Sequence, residues 1–267
     1  MFGLVGENGA GKTTLIQHIL GLLVPESGTV RVFGLDPVAD PVSVLGRIGY
    51  LSEYRDLPSW MRLDELLRYT QAFYPTWDPS FAESLRERFA LPASQRIRSY
   101  SQGQQAKAGL IVALAFRPDL LLLDEPSSGL DPVVRRDILE AIIRTVAEER
   151  RTVFFSSHLL DEIERVCDHI AMIRAGRVAL FGRLDDVKQS HRRLLLRFDQ
   201  PQPAPPDLAH ALTLQGGGRE WTGLFHGDRP KLMRTLQSAG AHVVAEESPS
   251  LDEIFVAQAA LPRTAIR

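Results

Sequence analysis

Short apolar runs alternate along the chain with segments whose apolar residues recur at helical spacing, and this alternation predicts most of the elements. Residues 2–5 form an apolar run that ends at Gly6 and reads as a strand cut short at its beginning. Over residues 12–23, Leu15, Ile16, Ile19, Leu20, Leu22 and Leu23 describe a mostly buried helix. Residues 29–33 alternate as a strand, and residues 47–51 form another that closes at Ser52-Glu53. Residues 63–73 and 80–91 have helical periodicity bounded by Pro58, Pro75, Pro79 and Pro92, so a helical section is expected over about residues 60–118. Residues 103–116 read as a helix, 120–123 as a fully buried strand, 133–149 as a helix and 152–155 as the next buried strand. Strands alternating with helices predict an α/β fold with a parallel sheet covered on both faces.

Residues 170–173 and 177–181, joined across Ala175-Gly176, predict a closing hairpin. Residues 200–207 then read Q-P-Q-P-A-P-P-D, a linker or extended loop, because proline can continue neither a helix nor a central strand. Beyond it, residues 220–225, 230–239, 242–245 and 251–257 suggest strand, helix, strand and helix. The expected organisation is a domain over residues 1–190 and a small α/β appendage over residues 191–267.

Composition narrows the functional classes. With 44% hydrophobic and 24% charged residues the chain is ordinary globular material, which excludes disorder, collagen and disulfide scaffolds. Thirty-one basic against 33 acidic residues give a formal charge of −2, so no nucleic-acid partner is expected. The single cysteine, Cys167, cannot form an intrachain disulfide, which fits a reducing cytoplasm. The longest apolar stretches, residues 108–116 and 120–123, are broken by Arg117-Pro118-Asp119, short of the roughly 20 residues a membrane-spanning helix needs. The cluster Arg183, Lys188, His191, Arg192, Arg193 and Arg197 reads as a solvated surface before it reads as a contact for lipid headgroups.

Chemistry concentrates at three places. Gly6-Glu7-Asn8-Gly9-Ala10-Gly11-Lys12-Thr13 fits G-x-x-x-x-G-K-[ST] between a strand and a helix, and Thr14 follows. Its glycines let successive backbone N–H groups curl around phosphate oxygens, Lys12 reaches the phosphates, Thr13 offers a hydroxyl to Mg²⁺, and the helix N-terminus adds its positive end. Residues 120–125, L-L-L-L-D-E, end a buried strand in two carboxylates: Asp124 placed to hold Mg²⁺ and Glu125 to act as general base on a water. Ser101, Gly103 and Gln104 open a further helix and form a second phosphate site, which one nucleotide does not require of the same chain.

Together these motifs resemble the nucleotide-binding subunits of ATP-binding cassette (ABC) transporters, particularly bacterial export-type subunits with a small C-terminal extension. Residues 6–14 match the family's Walker A motif, 100–104 its signature motif, 120–125 Walker B, 128–131 the D-loop, and His158 the switch histidine. The resemblance implies a P-loop NTPase core, ATP and Mg²⁺, and hydrolysis that powers a separate membrane permease from the inner face of the cell membrane. It also implies head-to-tail pairing, as a homodimer or heterodimer, in which the signature of one subunit contacts the γ-phosphate held by the other. His158 then orients the water and Asp131 couples the two sites. By the same resemblance the Q-loop falls at residues 49–53, with Glu53 in place of the usual glutamine as a ligand to Mg²⁺ or its water, and residues 53–60 are a candidate permease contact through Tyr54, Pro58 and Trp60. Two departures stand out. Only five residues precede Gly6, and Gln102 stands where the signature usually has glycine, which costs on the order of 1 kcal/mol if that residue must take a positive φ. A truncated binding remnant and a soluble ABC-type ATPase outside transport are the alternatives to a transporter subunit.

Overall fold

The apolar runs of the first half become one parallel sheet. The computed structural model describes residues 1–149 and 151–260, with the side chains of 145–149 left aside, and divides into two units, Met1–His158 and Leu159–Arg267. In the first unit, β1 (Phe2–Val5), β2 (Ile48–Leu51), β3 (Leu120–Asp124) and β4 (Thr152–Ser157) lie in the order β2-β3-β4-β1. All three pairings are parallel: Leu4 faces Ser156, Asp124 faces Ser156, and Leu51 faces Leu123. Leu4, Val5, Leu122, Leu123, Val153 and Phe155 are fully buried, as strands covered on both faces require. Since β1, β3 and β4 are adjacent and parallel, their carboxyl ends open at one edge, where ligands bind in open α/β sheets.

Seven expected helices form, five of them in this unit: α1 (Lys12–Ile19), α3 (Leu63–Gln71), α4 (Pro79–Arg88), α5 (Gln102–Leu114) and α6 (Pro132–Glu149). A short α2 (Pro41–Leu45), too brief to show a period, was not expected. Proline at the first position starts α4, and the Asp78 carboxylate caps it by accepting from Phe81 N–H at 2.9 Å. Small residues let α5 press against the sheet: a Cβ at Gly49 would lie 2.2 Å from the Ala113 carbonyl oxygen. The expected strand over residues 29–33 is absent. Val32 forms only an isolated bridge with Leu35 across a turn in which Phe33 (φ 53) and Gly34 (φ 81) are left-handed, so the alternating residues have no strand to pair with. Val32 is buried instead with Ile16, Leu20 and Val44.

The second unit contains α7 (Leu160–Val166), the expected antiparallel hairpin of β5 (His169–Arg174) and β6 (Arg177–Arg183), α8 (Leu184–Ser190), and an antiparallel sheet in the order β8-β7-β9. That sheet uses β7 (His191–Gln202), β8 (Ala211–His226) and β9 (Ala241–Glu247), with α9 (Arg229–Ser238) and α10 (Leu251–Ala260). β7 corrects the reading of its region. Residues 191–198 alternate inward Leu194, Leu196 and Phe198 with outward Arg193 and Arg197, and the proline-rich segment is no linker: Gln200, Pro201 and Gln202 end β7, so a proline does stand at the end of a central strand, and the rest opens the β7–β8 loop. The basic cluster is largely paired within this unit: Lys188 with Glu164, Arg192 with Glu246 at 3.0 Å, Arg193 with Glu253 at 3.3 Å, and Arg197 with Glu220 at 2.6 Å. His191 is buried and so leaves the expected solvated surface altogether. Residues 261–267 of the expected appendage lie outside the described residues. No helix among the described residues is long and apolar enough to cross a membrane.

Candidate active site

β1 ends at Val5 and the chain must turn at once into α1, which only a glycine-rich loop allows. Gly9 (φ 79) and Gly11 (φ 108) take left-handed backbone that side chains disfavour, and Gly11 is the residue from which α1 starts. The loop bounds a cavity of about 360 Å³ lined by Glu7, Asn8, Gly9, Gly11, Lys12, Thr13, Thr14, Glu53 and Glu125. Eight of these nine were singled out from the sequence, Glu7 being the addition. Gly6 contributes its carbonyl oxygen, which accepts from Lys12 Nζ at 2.8 Å.

The acid pair continues β3 and its two carboxylates face different partners. Asp124 is buried, and its Oδ1 accepts from Ser156 Oγ at 2.8 Å, the residue opposite it in the β3–β4 register. Glu125 is the next residue and has φ 49, a left-handed conformation that costs a non-glycine residue on the order of 1 kcal/mol. Its N–H donates to the Ser156 carbonyl oxygen at 3.1 Å, which holds the turn. The turn aims the carboxyl group at the cavity. Oε1 lies 3.3 Å from Lys12 Nζ, and Oε2 is 2.7 Å from His158 Nδ1 and accepts the His158 backbone N–H at 3.2 Å. With the carboxylate as acceptor, Nδ1 is the nitrogen that carries the donated proton.

Glu125 Oε1 is buried and makes no hydrogen bond among the described residues, although it borders the cavity. Its partner is the Lys12 ammonium, 3.3 Å away in a buried ion pair, and the Thr13 hydroxyl and Glu53 carboxylate line the same cavity with further oxygens. Among the described residues no group of three or more His, Cys, Asp or Glu side chains is arranged to hold a metal. The oxygens present suit Mg²⁺, which takes one or two protein oxygens together with phosphates and water. Tyr50, on β2, has its phenol pushed up to about 12 by burial and by the charges of Asp124 and Asp56, so it stays a neutral neighbour of the acid pair.

The remaining expected residues do not line this cavity. Ser101 and Gln104 form a capping box at the start of α5: Gln104 N–H donates to Ser101 Oγ at 3.2 Å and Ser101 N–H to Gln104 Oε1 at 2.9 Å. Gly103 is buried against α6, where a Cβ would come within 2.8 Å of Val134 Cγ1. Gln102 is a helical residue and takes no positive φ, so the departure from glycine there carries no backbone strain. Asp131 caps α6, its Oδ1 accepting from the N–H groups of Val133 and Val134 at 3.0 and 3.1 Å. Sequence reasoning missed Ser156 and Arg55. Ser156 was legible from the parallel register that sets it opposite Asp124; Arg55, whose guanidinium reaches the Ser128 carbonyl, had no local signal.

Comparison with known proteins agrees with this geometry. Residues 1–128 match the family model described as ABC transporter. The chain is 36% identical over 263 residues to an ABC transporter ATP-binding protein of Alkalihalophilus pseudofirmus, covering 95% of this chain and 97% of that protein. It is 29% identical over 261 residues to the ABC transporter ATP-binding protein YtrB of Bacillus subtilis, covering 97% of this chain and 88% of the relative. A solved ATP-binding subunit of an ABC transporter superposes with a TM-score of 0.65 at 31% identity, over 71% of this chain and 80% of that one.

Proposed function

The chain belongs to the ABC transporter ATP-binding proteins, and from that membership we propose that it binds Mg²⁺-ATP at the cavity behind the phosphate loop, hydrolyses it, and powers a separate membrane permease by ATP-driven pairing of two such subunits. The observation that carries this reading is the carboxyl group of Glu125, held in the cavity between Lys12 and His158. The ATPase domain is assigned to residues 1–190 and the appendage to residues 191–267.

Gly6, Asn8, Gly9 and Gly11 shape the backbone that accepts the phosphates, and the N–H groups of Lys12, Thr13 and Thr14 face them from the first turn of α1. Lys12 Nζ neutralises the terminal phosphates, exchanging Glu125 and Gly6 for them. Mg²⁺, when bound through Thr13, Glu53 and the more deeply set Asp124, supplies charge neutralisation of the β- and γ-phosphates. Glu125 takes the proton of the attacking water at Oε1, the oxygen without a hydrogen bond. His158 holds Oε2 and so fixes the direction in which the base points.

The second phosphate site belongs to the partner subunit. Ser101 and Gln102 are exposed at the N-terminus of α5, with Gln104 half-buried and Gly103 buried beneath them, and this helix end is the part offered to the γ-phosphate of the other subunit. Asp131 caps α6 at the end of the loop that leaves Glu125, and the coupling of the two sites is assigned to it. Tyr54 and Trp60 are 79% and 67% exposed, and the segment 53–60 that carries them with Pro58 is the proposed permease contact at the cytoplasmic side of the membrane.

The test is the solution mass of Glu125→Gln with and without Mg²⁺-ATP. A change from monomer to dimer on adding nucleotide is expected, because the composite site then forms without being consumed. A mass that stays monomeric, with ATP demonstrably bound, removes the composite site from the proposal.

A further inference from the structure

The loop after β2 and the loop after β3 are fastened together by a residue that does not line the cavity. Arg55 Nη2 donates to the Ser128 carbonyl oxygen, and Arg55 itself sits at φ 54 in the strained left-handed region. Its guanidinium is half-buried: burial draws its pKa down from the ordinary arginine value, and the charge of Glu53 opposes that shift. Arg55 Nε is buried with no hydrogen bond among the described residues, so the bond to Ser128 is what fixes the fork.

Ser128 is the common point. Its N–H donates to the Glu125 carbonyl oxygen at 3.0 Å, and its hydroxyl donates to Glu53 Oε1 at 3.5 Å. A left-handed glutamate persists only where its surroundings over-determine it, and the turn at Glu125 is held by Ser156 on one side and by Ser128 on the other. The Ser156 bond is part of the sheet edge. The Ser128 bond belongs to a loop, and a loop keeps its place only if something outside it does so.

We propose that Arg55 is a positioning residue for hydrolysis: by anchoring the Ser128 carbonyl it fixes the turn that carries Glu125, and it locks that turn to the loop bearing Glu53. The proposal rests on the reading of Glu125 as base. Arg55 does not line the cavity, and the bond from Ser128 to Glu53 is long at 3.5 Å against 3.0 Å for its bond to Glu125, so the loss of Arg55 acts on the placement of the base before it acts on nucleotide binding.

The experiment compares the parent chain, Arg55→Ala and Arg55→Lys by steady-state ATP turnover and by hydrogen exchange of the peptide covering residues 125–131. Arg55→Ala lowers kcat between about tenfold and a hundredfold, the scale of a displaced catalytic group, with KM for ATP within about twofold. Added guanidinium ion restores part of kcat in Arg55→Ala in a saturable manner. Arg55→Lys, which keeps the charge and most of the length, falls between the two and guards against a variant that fails to fold. Amides of residues 125–131 exchange faster in Arg55→Ala while those of 12–19 are unchanged. Unchanged exchange over 125–131 overturns the anchor; faster exchange with kcat unchanged, or a loss confined to KM, overturns its role in positioning. A parent chain without turnover overturns the ATPase reading on which the proposal rests, and the exchange measurement still decides the anchor.

Discussion

Lys12 Nζ lies 3.3 Å from Glu125 Oε1 with both side chains buried, so the cation of the phosphate loop and a carboxylate of the acid pair hold each other. In the proposed mechanism, phosphates entering the cavity bring charge that competes with Glu125 for Lys12, and that competition releases the carboxylate to act on water.

The two residues are therefore expected to fail differently when replaced. Glu125→Gln keeps Lys12 available to phosphate, so nucleotide still binds while turnover falls by roughly 10² to 10⁴. Lys12→Ala removes the phosphate contact and leaves Glu125 without its buried cation, so binding itself is lost. Equilibrium binding of a fluorescent ATP analogue beside a phosphate-release assay separates the cases. Equal loss of affinity in both variants contradicts the division of roles.

Asp131 caps α6, and substitution can separate that cap from the coupling role proposed for it. Its Oδ1 caps α6 through Val133 and Val134, so Asp131→Ala is expected to cost about 1 kcal/mol of stability, which for a chain of this size is a few degrees in Tm. Asp131→Ser keeps a capping oxygen and recovers most of that stability. If the carboxylate also couples the two ATP sites, Asp131→Ser stays low in turnover although its Tm is restored. Turnover that tracks Tm through both variants reduces Asp131 to a helix cap.

The parts of this molecule legible in the sequence are those governed by local chemistry. The phosphate loop was readable because Gly9 and Gly11 take conformations few other residues tolerate, and the buried strand over Leu120–Asp124 because an unbroken apolar run ending in acids has few other uses. What failed depends on partners distant in sequence. Residues 29–33 have the alternation of a strand and no strand beside them. Residues 191–198 have it too, yet their arginines drew the eye to charge, and only Glu220, Glu246 and Glu253 on other elements show those charges neutralised. Arg55 was invisible for the same reason: its partner lies 73 positions away. The second roles of Ser101, Gly103 and Asp131, as caps and a packing contact, sit at helix starts where capping and phosphate binding favour the same residue types.

The buried histidine of the second unit gives stability a pH dependence whose sign follows from its surroundings. His191 is enclosed, donates Nδ1–H to the Val187 carbonyl oxygen at 2.7 Å, and has its ring centroid 4.6 Å from that of His226. Burial lowers its pKa from the ordinary 6.5, the Val187 acceptor opposes that shift, and His226 adds to it. Between the lowered folded value and 6.5 the unfolded chain binds more protons than the folded one, so stability rises with pH across that window. It is full above about 6.5, is lost as pH falls toward the folded value, and loses nothing more from this group below it. Urea midpoints measured from pH 5 to pH 8 are expected to fall on the acid side in the parent chain. His191→Asn retains an amide donor for Val187 without the titrating ring, so its midpoint is lower throughout but flatter over the same range. An acid-side slope that is identical in parent and variant means that other groups carry it and that His191 is only a packed ring.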